Sequence, residues 1–116
     1  MIRAIIVDDE ELARDEMRFL LEDEDVEIVA EAGGGPEALA LCRGAGLRPR
    51  LVLTDLSMPG MDGRELAAAV VSEAPGVRVL YMSGYDVAGA ETDVEGAFLG
   101  KPFSPSELVE AVRRTL

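Results

Sequence analysis

Residues Ile5 to Glu11 read I-I-V-D-D-E-E, an apolar run that ends in four consecutive acidic residues. The β-branched residues are typical of a buried strand. Two carboxylates about 4 Å apart repel each other by roughly 1 kcal/mol in water and about 4 kcal/mol at the effective dielectric of a protein surface. An aspartate capping a following helix, with Glu10 and Glu11 in its first turn, would explain most of this cluster. A cap would explain only one of Asp8 and Asp9. The presence of the other aspartate therefore indicates a cation, a proton or a cationic side chain nearby.

Short apolar runs like this one recur along the chain and alternate with helical patterns. The predicted strands are Arg3–Val7, Glu27–Ala32, Leu51–Thr54, Arg78–Met82 and Ala97–Leu99. Apolar residues at helical spacing lie between them and after Ser104, where S-P-S-E predicts a capping box. The pattern is weakest from Gly84 to Gly96, where we expect a short helix at most. Five strands alternating with helices predict an α/β domain with a parallel sheet covered on both faces.

Composition excludes several classes of function. At 116 residues we expect one domain, and a net charge of −12 disfavours binding to nucleic acids and to anionic membranes. The single cysteine, Cys42, cannot form an internal disulfide, and we find neither a signal peptide nor an apolar run of membrane-spanning length, so we expect a cytoplasmic protein. A chain without histidine cannot hold a His-ligated metal, a Ser-His-Asp triad or a phosphohistidine.

Polar residues follow four of the predicted strands, at the edge where ligands bind in open parallel sheets. They are Asp8 and Asp9, Asp55, Ser83 and Lys101. Each residue alone has a commoner explanation as a helix cap, a turn former or a solvated side chain. Together they predict a site in which carboxylates hold Mg²⁺, Lys101 and Ser83 contact phosphoryl oxygens, and Asp55 acts as a nucleophile.

These residues resemble the receiver domain of two-component response regulators, and the resemblance covers the whole chain. The matching pieces are V-D-D-E-E at Val7–Glu11, L-V-L-T-D-L-S-M-P-G-M-D-G at Leu51–Gly63, M-S-G at Met82–Gly84 and F-L-G-K-P-F at Phe98–Phe103. The resemblance implies a doubly wound, flavodoxin-like sheet of strand order 2-1-3-4-5 and one receiver domain over residues 1–116. It also implies a non-enzymatic signalling role, in which a histidine kinase or phosphotransfer protein donates a phosphoryl group and the output is a protein contact.

The resemblance assigns a role to each matching residue. Asp55 would be the phosphoacceptor and, with Asp8 and Asp9, would bind Mg²⁺. The other implied roles are metal ligation by the Ser57 carbonyl, a switch hydroxyl on Ser83, a phosphate contact from Lys101, a rotamer change of Phe98, and a cis peptide bond between Lys101 and Pro102. Self-association would use the face formed by the fourth helix, the fifth strand and the fifth helix.

Three other functions are compatible with parts of this pattern. A Mg²⁺-dependent phosphohydrolase also forms an aspartyl phosphate, but such enzymes typically carry a second aspartate where this chain has Ser57. A flavodoxin-like cofactor module should have a first loop rich in Gly, Ser or Thr, whereas this loop is D-D-E-E. A degenerate receiver could act only as an interaction scaffold, although all five residues of the predicted site are present.

Overall fold

The five predicted strands form one parallel sheet. The computed structural model describes residues 1–44, 46–83, 97–100 and 103–116. The strands are β1 (Ile2–Val7), β2 (Val26–Ala32), β3 (Leu51–Asp55), β4 (Arg78–Ser83) and β5 (Ala97–Gly100), in the order β2-β1-β3-β4-β5. The predicted strand order is confirmed, and every strand begins and ends within one residue of its predicted limits.

Helices cover both faces of the sheet, as predicted. In the described residues they are α1 (Glu11–Leu20), α2 (Gly35–Gly44), α3 (Gly63–Glu73) and α4 (Pro105–Thr115). One core cluster contains buried residues of α2 and α3, and a second contains buried residues of α1 and α4. The predicted fourth helix, between Gly84 and Gly96, lies outside the described residues, as does the part of the predicted self-association face that it would form. Helix α4 therefore corresponds to the predicted fifth helix.

Strand β1, which has a neighbouring strand on each side, shows why the strands are continuous apolar runs. Ile5 and Val7 point into the cluster formed with α2 and α3, whereas Ala4 and Ile6 point into the cluster formed with α1 and α4. All four side chains are completely buried. A strand buried on both faces cannot carry a polar residue at every second position, so its sequence lacks the polar alternation of a surface strand. Charged side chains stand on either side of this buried run, Arg3 before it and Asp8 after it.

The starts of the helices confirm one cap prediction and correct another. The Ser104 hydroxyl accepts from the Glu107 N–H at 3.1 Å, and the Ser104 N–H donates to the Glu107 carboxylate at 2.9 Å, which is the predicted capping box of α4. The prediction that Asp8 or Asp9 caps α1 is wrong. The N-cap is Glu10, whose side chain makes no capping hydrogen bond. Asp8 lies two residues before this N-cap, and its Oδ1 accepts from the Glu10 N–H at 2.9 Å.

None of the helices in the described part of the chain is long and apolar enough to cross a membrane.

Candidate functional site

Three aspartates meet at the carboxyl edge of the sheet, where the sequence predicted a site. One carboxylate oxygen from each of Asp8, Asp9 and Asp55 lies within 4.8 Å of the others. Asp8 follows β1 and is fully buried, Asp9 is exposed, and Asp55 is partly buried at the end of β3. The site is therefore open to solvent on the side of Asp9 and closed on the side of Asp8.

Backbone hydrogen bonds fix the two strand ends that carry these carboxylates. The Asp8 N–H donates to the Ala32 carbonyl at 3.1 Å, which extends the β1 pairing with β2 by one residue. On β3, the Thr54 hydroxyl donates to the Asp55 carbonyl at 2.9 Å, and the Leu56 N–H donates to the Met82 carbonyl at 2.7 Å. The Asp8 and Asp55 carboxylates therefore project from hydrogen-bonded strand ends and not from a free loop.

Helix α3 begins directly against the backbone of Asp55. The Gly63 N–H donates to the Leu56 carbonyl at 2.9 Å. A Cβ atom at Gly63 would lie only 2.6 Å from the Asp55 carbonyl oxygen and 2.9 Å from the Leu56 Cα, which is closer than real Cβ contacts. Glycine at this position thus permits the close approach that brings the start of α3 next to the site. The sequence matches Gly63 only as the end of the stretch Leu51–Gly63 and does not indicate this contact.

The remaining predicted site residues lie in different surroundings. Ser83 ends β4, next to β3, and is 6% exposed. Ser57 is exposed, two residues beyond Asp55 in the segment before α3. Phe98 is partly buried, pairs in register with Tyr81 and packs against the cluster on the α2 and α3 face. Lys101 and the predicted cis bond from Lys101 to Pro102 lie outside the described residues.

A basic residue that the sequence analysis did not select lies behind the acidic loop. Arg14 Nη1 donates to the Asp8 carbonyl oxygen at 2.6 Å, and its Nε donates to Glu31 Oε1 at 3.2 Å. Arg18 shares the same carboxylate, with its Nε 2.6 Å from Glu31 Oε2. The sequence signal that could have indicated this contact is spacing. Arg14 stands one helical turn after Glu10, so its side chain can reach back to the residues before the helix.

The donor set at this edge fits Mg²⁺. Magnesium prefers carboxylate oxygens and water, and two ligands of one ion at its usual bond length lie at most about 4.2 Å apart. The three aspartate oxygens lie within 4.8 Å of one another, so they would move closer together to share an ion. Such an ion would also neutralise like charges that otherwise repel one another.

The only cysteine of the chain, Cys42 on α2, has the properties of a structural residue. Burial, and to a smaller extent the Glu73 carboxylate, raises the pKa of its thiol. A raised pKa lowers the fraction of reactive thiolate at neutral pH. The raised pKa of the Cys42 thiol therefore favours a structural role over a nucleophilic one.

Comparisons with known proteins agree with this architecture. Residues 4–113 match the family model described as the response regulator receiver domain. The chemotaxis protein CheY of Listeria monocytogenes is 33% identical in an alignment of 118 positions that covers 98% of each chain. The transcriptional regulatory protein PdtaR of Mycobacterium tuberculosis is 38% identical in an alignment of 113 positions that covers 95% of this chain and 54% of PdtaR, so this chain spans about half of that relative.

Solved structures show the same relationship. The signal receiver domain of NarL from Mycobacterium tuberculosis superposes with a TM-score of 0.84 at 36% identity, covering 97% of this chain and 94% of that one. The chemotaxis protein CheY4 of Vibrio cholerae superposes with a TM-score of 0.80 at 30% identity, covering 100% and 99%. Fold, site and sequence therefore agree, and the chain belongs to the receiver domain family of two-component response regulators, a family of signalling domains.

Proposed function

We propose that this chain accepts a phosphoryl group on Asp55 from a histidine kinase or phosphotransfer protein, with Mg²⁺ bound by Asp8, Asp9 and Asp55. The observation that supports this proposal most directly is the convergence of three carboxylate oxygens within 4.8 Å in a chain of the receiver family. Residues 1–116 form one domain in this proposal, because β1 at one end of the chain and α4 at the other contribute to the same core cluster.

Burial favours Asp55 over the other two aspartates as the phosphoacceptor. Asp8 is fully buried, and one of its oxygens already accepts the Glu10 N–H. Asp9 is exposed and follows the strand end by two residues. Asp55 ends a central strand, is partly open to solvent and has its backbone held by Thr54. A nucleophile needs both a fixed position and access to its substrate, and Asp55 has both.

The transfer requires a donor outside this chain. A carboxylate oxygen of Asp55 would form the new bond to phosphorus as the bond from phosphorus to the donor's imidazole nitrogen breaks. The chain has no histidine, so the phosphohistidine belongs to the partner. Bound Mg²⁺ would supply neutralisation of charge on the carboxylates and phosphoryl oxygens. The family resemblance adds a Ser57 carbonyl ligand to the metal and a Lys101 contact to the phosphate.

Output by protein contact is the second part of the proposal. The Ser83 hydroxyl, next to Asp55 on the adjacent strand, would move toward the phosphate, and the Phe98 ring would turn inward. In the structure Phe98 already packs partly against the α2 and α3 face, whereas its neighbour Leu99 lies in the cluster that contains α4. A movement of β5 would thus be transmitted to α4 by Leu99. Self-association on this face and a cytoplasmic setting belong to the same proposal.

Phosphorylation by a small donor tests the central assignment. The chain is incubated with acetyl phosphate and Mg²⁺, and bound phosphate is measured by intact mass spectrometry. We expect one phosphate on the parent chain and none on Asp55→Asn. Asp15→Asn, which changes an exposed aspartate of α1, is the matched control and should be labelled like the parent. Labelling of Asp55→Asn to the parent level would make the assignment wrong.

The same incubation separates the competing functions. A phosphohydrolase would release inorganic phosphate through many turnovers, whereas a receiver takes up one phosphate and loses it slowly. A scaffold would do neither. The exposed hydroxyl of Ser57 stands where a phosphohydrolase would need a second acid, so we expect stoichiometric labelling and not turnover.

Chemical shifts test the output. A phosphate mimic bound at Asp55 should perturb the resonances of Phe98 and of Val109 and Val112 on α4, and should strengthen a contact there. Shifts confined to the loops around Asp8 and Asp55 would show that the signal does not reach α4. The chain would then be a phosphate relay or sink and not a switch.

A further inference from the structure

We propose that Arg14 is a positioning residue for the acidic site, and that its hydrogen bond to the Asp8 carbonyl holds the Asp8–Asp9 peptide in the conformation that binds Mg²⁺. This inference rests on the proposed function, because it concerns the metal that the three aspartates would share. Arg14 would touch neither the metal nor the phosphoryl group.

The contacts of Asp8 show what Arg14 adds. The Asp8 N–H is bound to Ala32, and its side chain accepts from the Glu10 N–H. Its carbonyl oxygen accepts from Arg14 Nη1 at 2.6 Å, which is short for a hydrogen bond from a charged donor. That carbonyl belongs to the peptide unit that leads into Asp9. Fixing the plane of this peptide fixes the direction from which the exposed Asp9 carboxylate approaches the other two.

The guanidinium is itself held in place. Its Nε donates to Glu31 Oε1 on β2, and the Arg14 and Glu31 side chains are only 19% and 23% exposed. Arg18 binds the other oxygen of Glu31 but is 49% exposed. A Cβ atom at Gly33 would lie 3.8 Å from Arg14 Nη1, so the strand end of β2 also borders the guanidinium. Because the guanidinium is planar, its bond to Glu31 also fixes the direction of its bond to the Asp8 carbonyl.

Charge and position predict opposite effects of removing Arg14. A cation near three carboxylates repels Mg²⁺, so if charge alone mattered, a neutral residue would tighten Mg²⁺ binding. If Arg14 positions the Asp8–Asp9 peptide, the same change weakens binding, because partners that orient metal ligands usually contribute about 10-fold or more to metal affinity. The direction of the change therefore separates the two roles.

Isothermal titration with MgCl₂ measures this directly in three variants. For Arg14→Met we expect the Mg²⁺ Kd to rise by about 10-fold. The matched control is Arg18→Met, which also removes one positive charge and one bond to Glu31 but leaves the Asp8 carbonyl contact intact, and its Kd should stay within about twofold of the parent. Arg14→Lys keeps the charge and can restore one hydrogen bond, so its Kd should lie between those of the parent and Arg14→Met.

Tighter binding by Arg14→Met, or equal weakening in Arg14→Met and Arg18→Met, would overturn the positioning role. Should Arg14→Met fail to fold by circular dichroism, the comparison of Arg14→Lys with Arg18→Met decides: weaker Mg²⁺ binding in Arg14→Lys alone supports the role, and equal binding overturns it. The proposed function fails separately, if the parent chain binds Mg²⁺ but takes up no phosphate from acetyl phosphate. A parent chain that binds no Mg²⁺ would overturn both.

Discussion

Helix α1, which follows the two aspartates after β1, starts differently from α3 and α4, the two helices with complete capping boxes. At α3 the Glu65 N–H donates to Asp62 Oδ1 at 2.9 Å and the Asp62 N–H donates to the Glu65 carboxylate at 3.3 Å, and α4 has the same pair of bonds between Ser104 and Glu107. The N-cap of α1, Glu10, makes no such side-chain bond. The two aspartates before it, Asp8 and Asp9, form a cluster with Asp55 instead.

The aspartates before α1 thus belong to the acidic cluster and do not cap the helix. Asp9, directly before the N-cap, contributes a carboxylate oxygen to the acidic cluster, and Asp8 binds the Glu10 N–H before the helix begins. The start of α1 is held instead by the Arg14 side chain, which bridges the Asp8 carbonyl and Glu31 on β2. The start of α1 therefore depends on tertiary contacts, and those of α3 and α4 depend mainly on local ones.

The largest effect should come where a capped helix also touches the site. Gly63→Ala places a Cβ 2.6 Å from the Asp55 carbonyl oxygen, so α3 must move away from β3. We expect the free energy of unfolding to fall by about 2 kcal/mol, within the usual range for overpacking. Urea denaturation measures the loss.

Two other glycines serve as controls for that change. At Gly34 a Cβ would meet nothing within 4 Å, so Gly34→Ala should change stability by less than about 0.5 kcal/mol. At Gly35 the added atom would lie 2.7 Å from Met61 Sδ and 2.8 Å from Met61 Cβ, so the contact is with a side chain, whereas every contact at Gly63 is with backbone atoms. Gly35→Ala should therefore cost less than Gly63→Ala, and the reverse order would contradict the argument that α3 rests on the Asp55 backbone.

A pair of cap substitutions tests the comparison itself. Ser104→Ala removes the hydroxyl that accepts the Glu107 N–H and should destabilise the protein by about 1 kcal/mol. Glu10→Ala changes the N-cap residue of α1 but removes no side-chain cap bond, so we expect less than about 0.5 kcal/mol. Thermal unfolding of both variants without metal gives the two values. Equal losses would mean that α1 depends on its N-cap side chain after all.

These contrasts explain which features the sequence predicted. The strands and the cap of α4 depend on residues that are neighbours in sequence, and S-P-S-E at Ser104 is sufficient to place the start of that helix. The convergence of Asp8, Asp9 and Asp55 followed from a rule about strand ends in parallel sheets. The cap of α1 was predicted wrongly, because a carboxylate next to a helix start can serve either the helix or a site. Arg14 and Gly63 were missed because their importance lies in contacts with backbone atoms that no sequence pattern specifies.

A smaller effect, of opposite sign, is expected at the acidic cluster. Asp9→Ala removes one of three carboxylates that lie within 4.8 Å of one another, so it should raise the melting temperature of the metal-free protein by the equivalent of less than about 1 kcal/mol. It should also reduce the further stabilisation that added MgCl₂ gives. Scanning calorimetry with EDTA and with MgCl₂ measures both effects. A clear fall in the metal-free melting temperature would show that Asp9 stabilises the fold by more than its repulsion of the other carboxylates destabilises it.

The smallest effect should be the dependence of the α4 cap on pH. The Ser104 N–H, and to a smaller extent its hydroxyl, holds the pKa of the Glu107 carboxyl below its ordinary value. A lowered pKa means that the ionised form stabilises the folded state: this contribution is fully present above the ordinary glutamate pKa and is lost as pH falls through the folded-state pKa. Because Glu107 is exposed, solvent screening keeps the contribution small.

Glu107→Gln keeps an acceptor for the Ser104 N–H but has no charge to lose, so its melting temperature should lie slightly below that of the parent at neutral pH and approach it in acid. Glu110→Gln, on the same helix but outside the capping box, is the control and should show no such convergence. A difference between parent and Glu107→Gln that stays constant down to strongly acidic pH would show that the charge of Glu107 does not contribute to the cap.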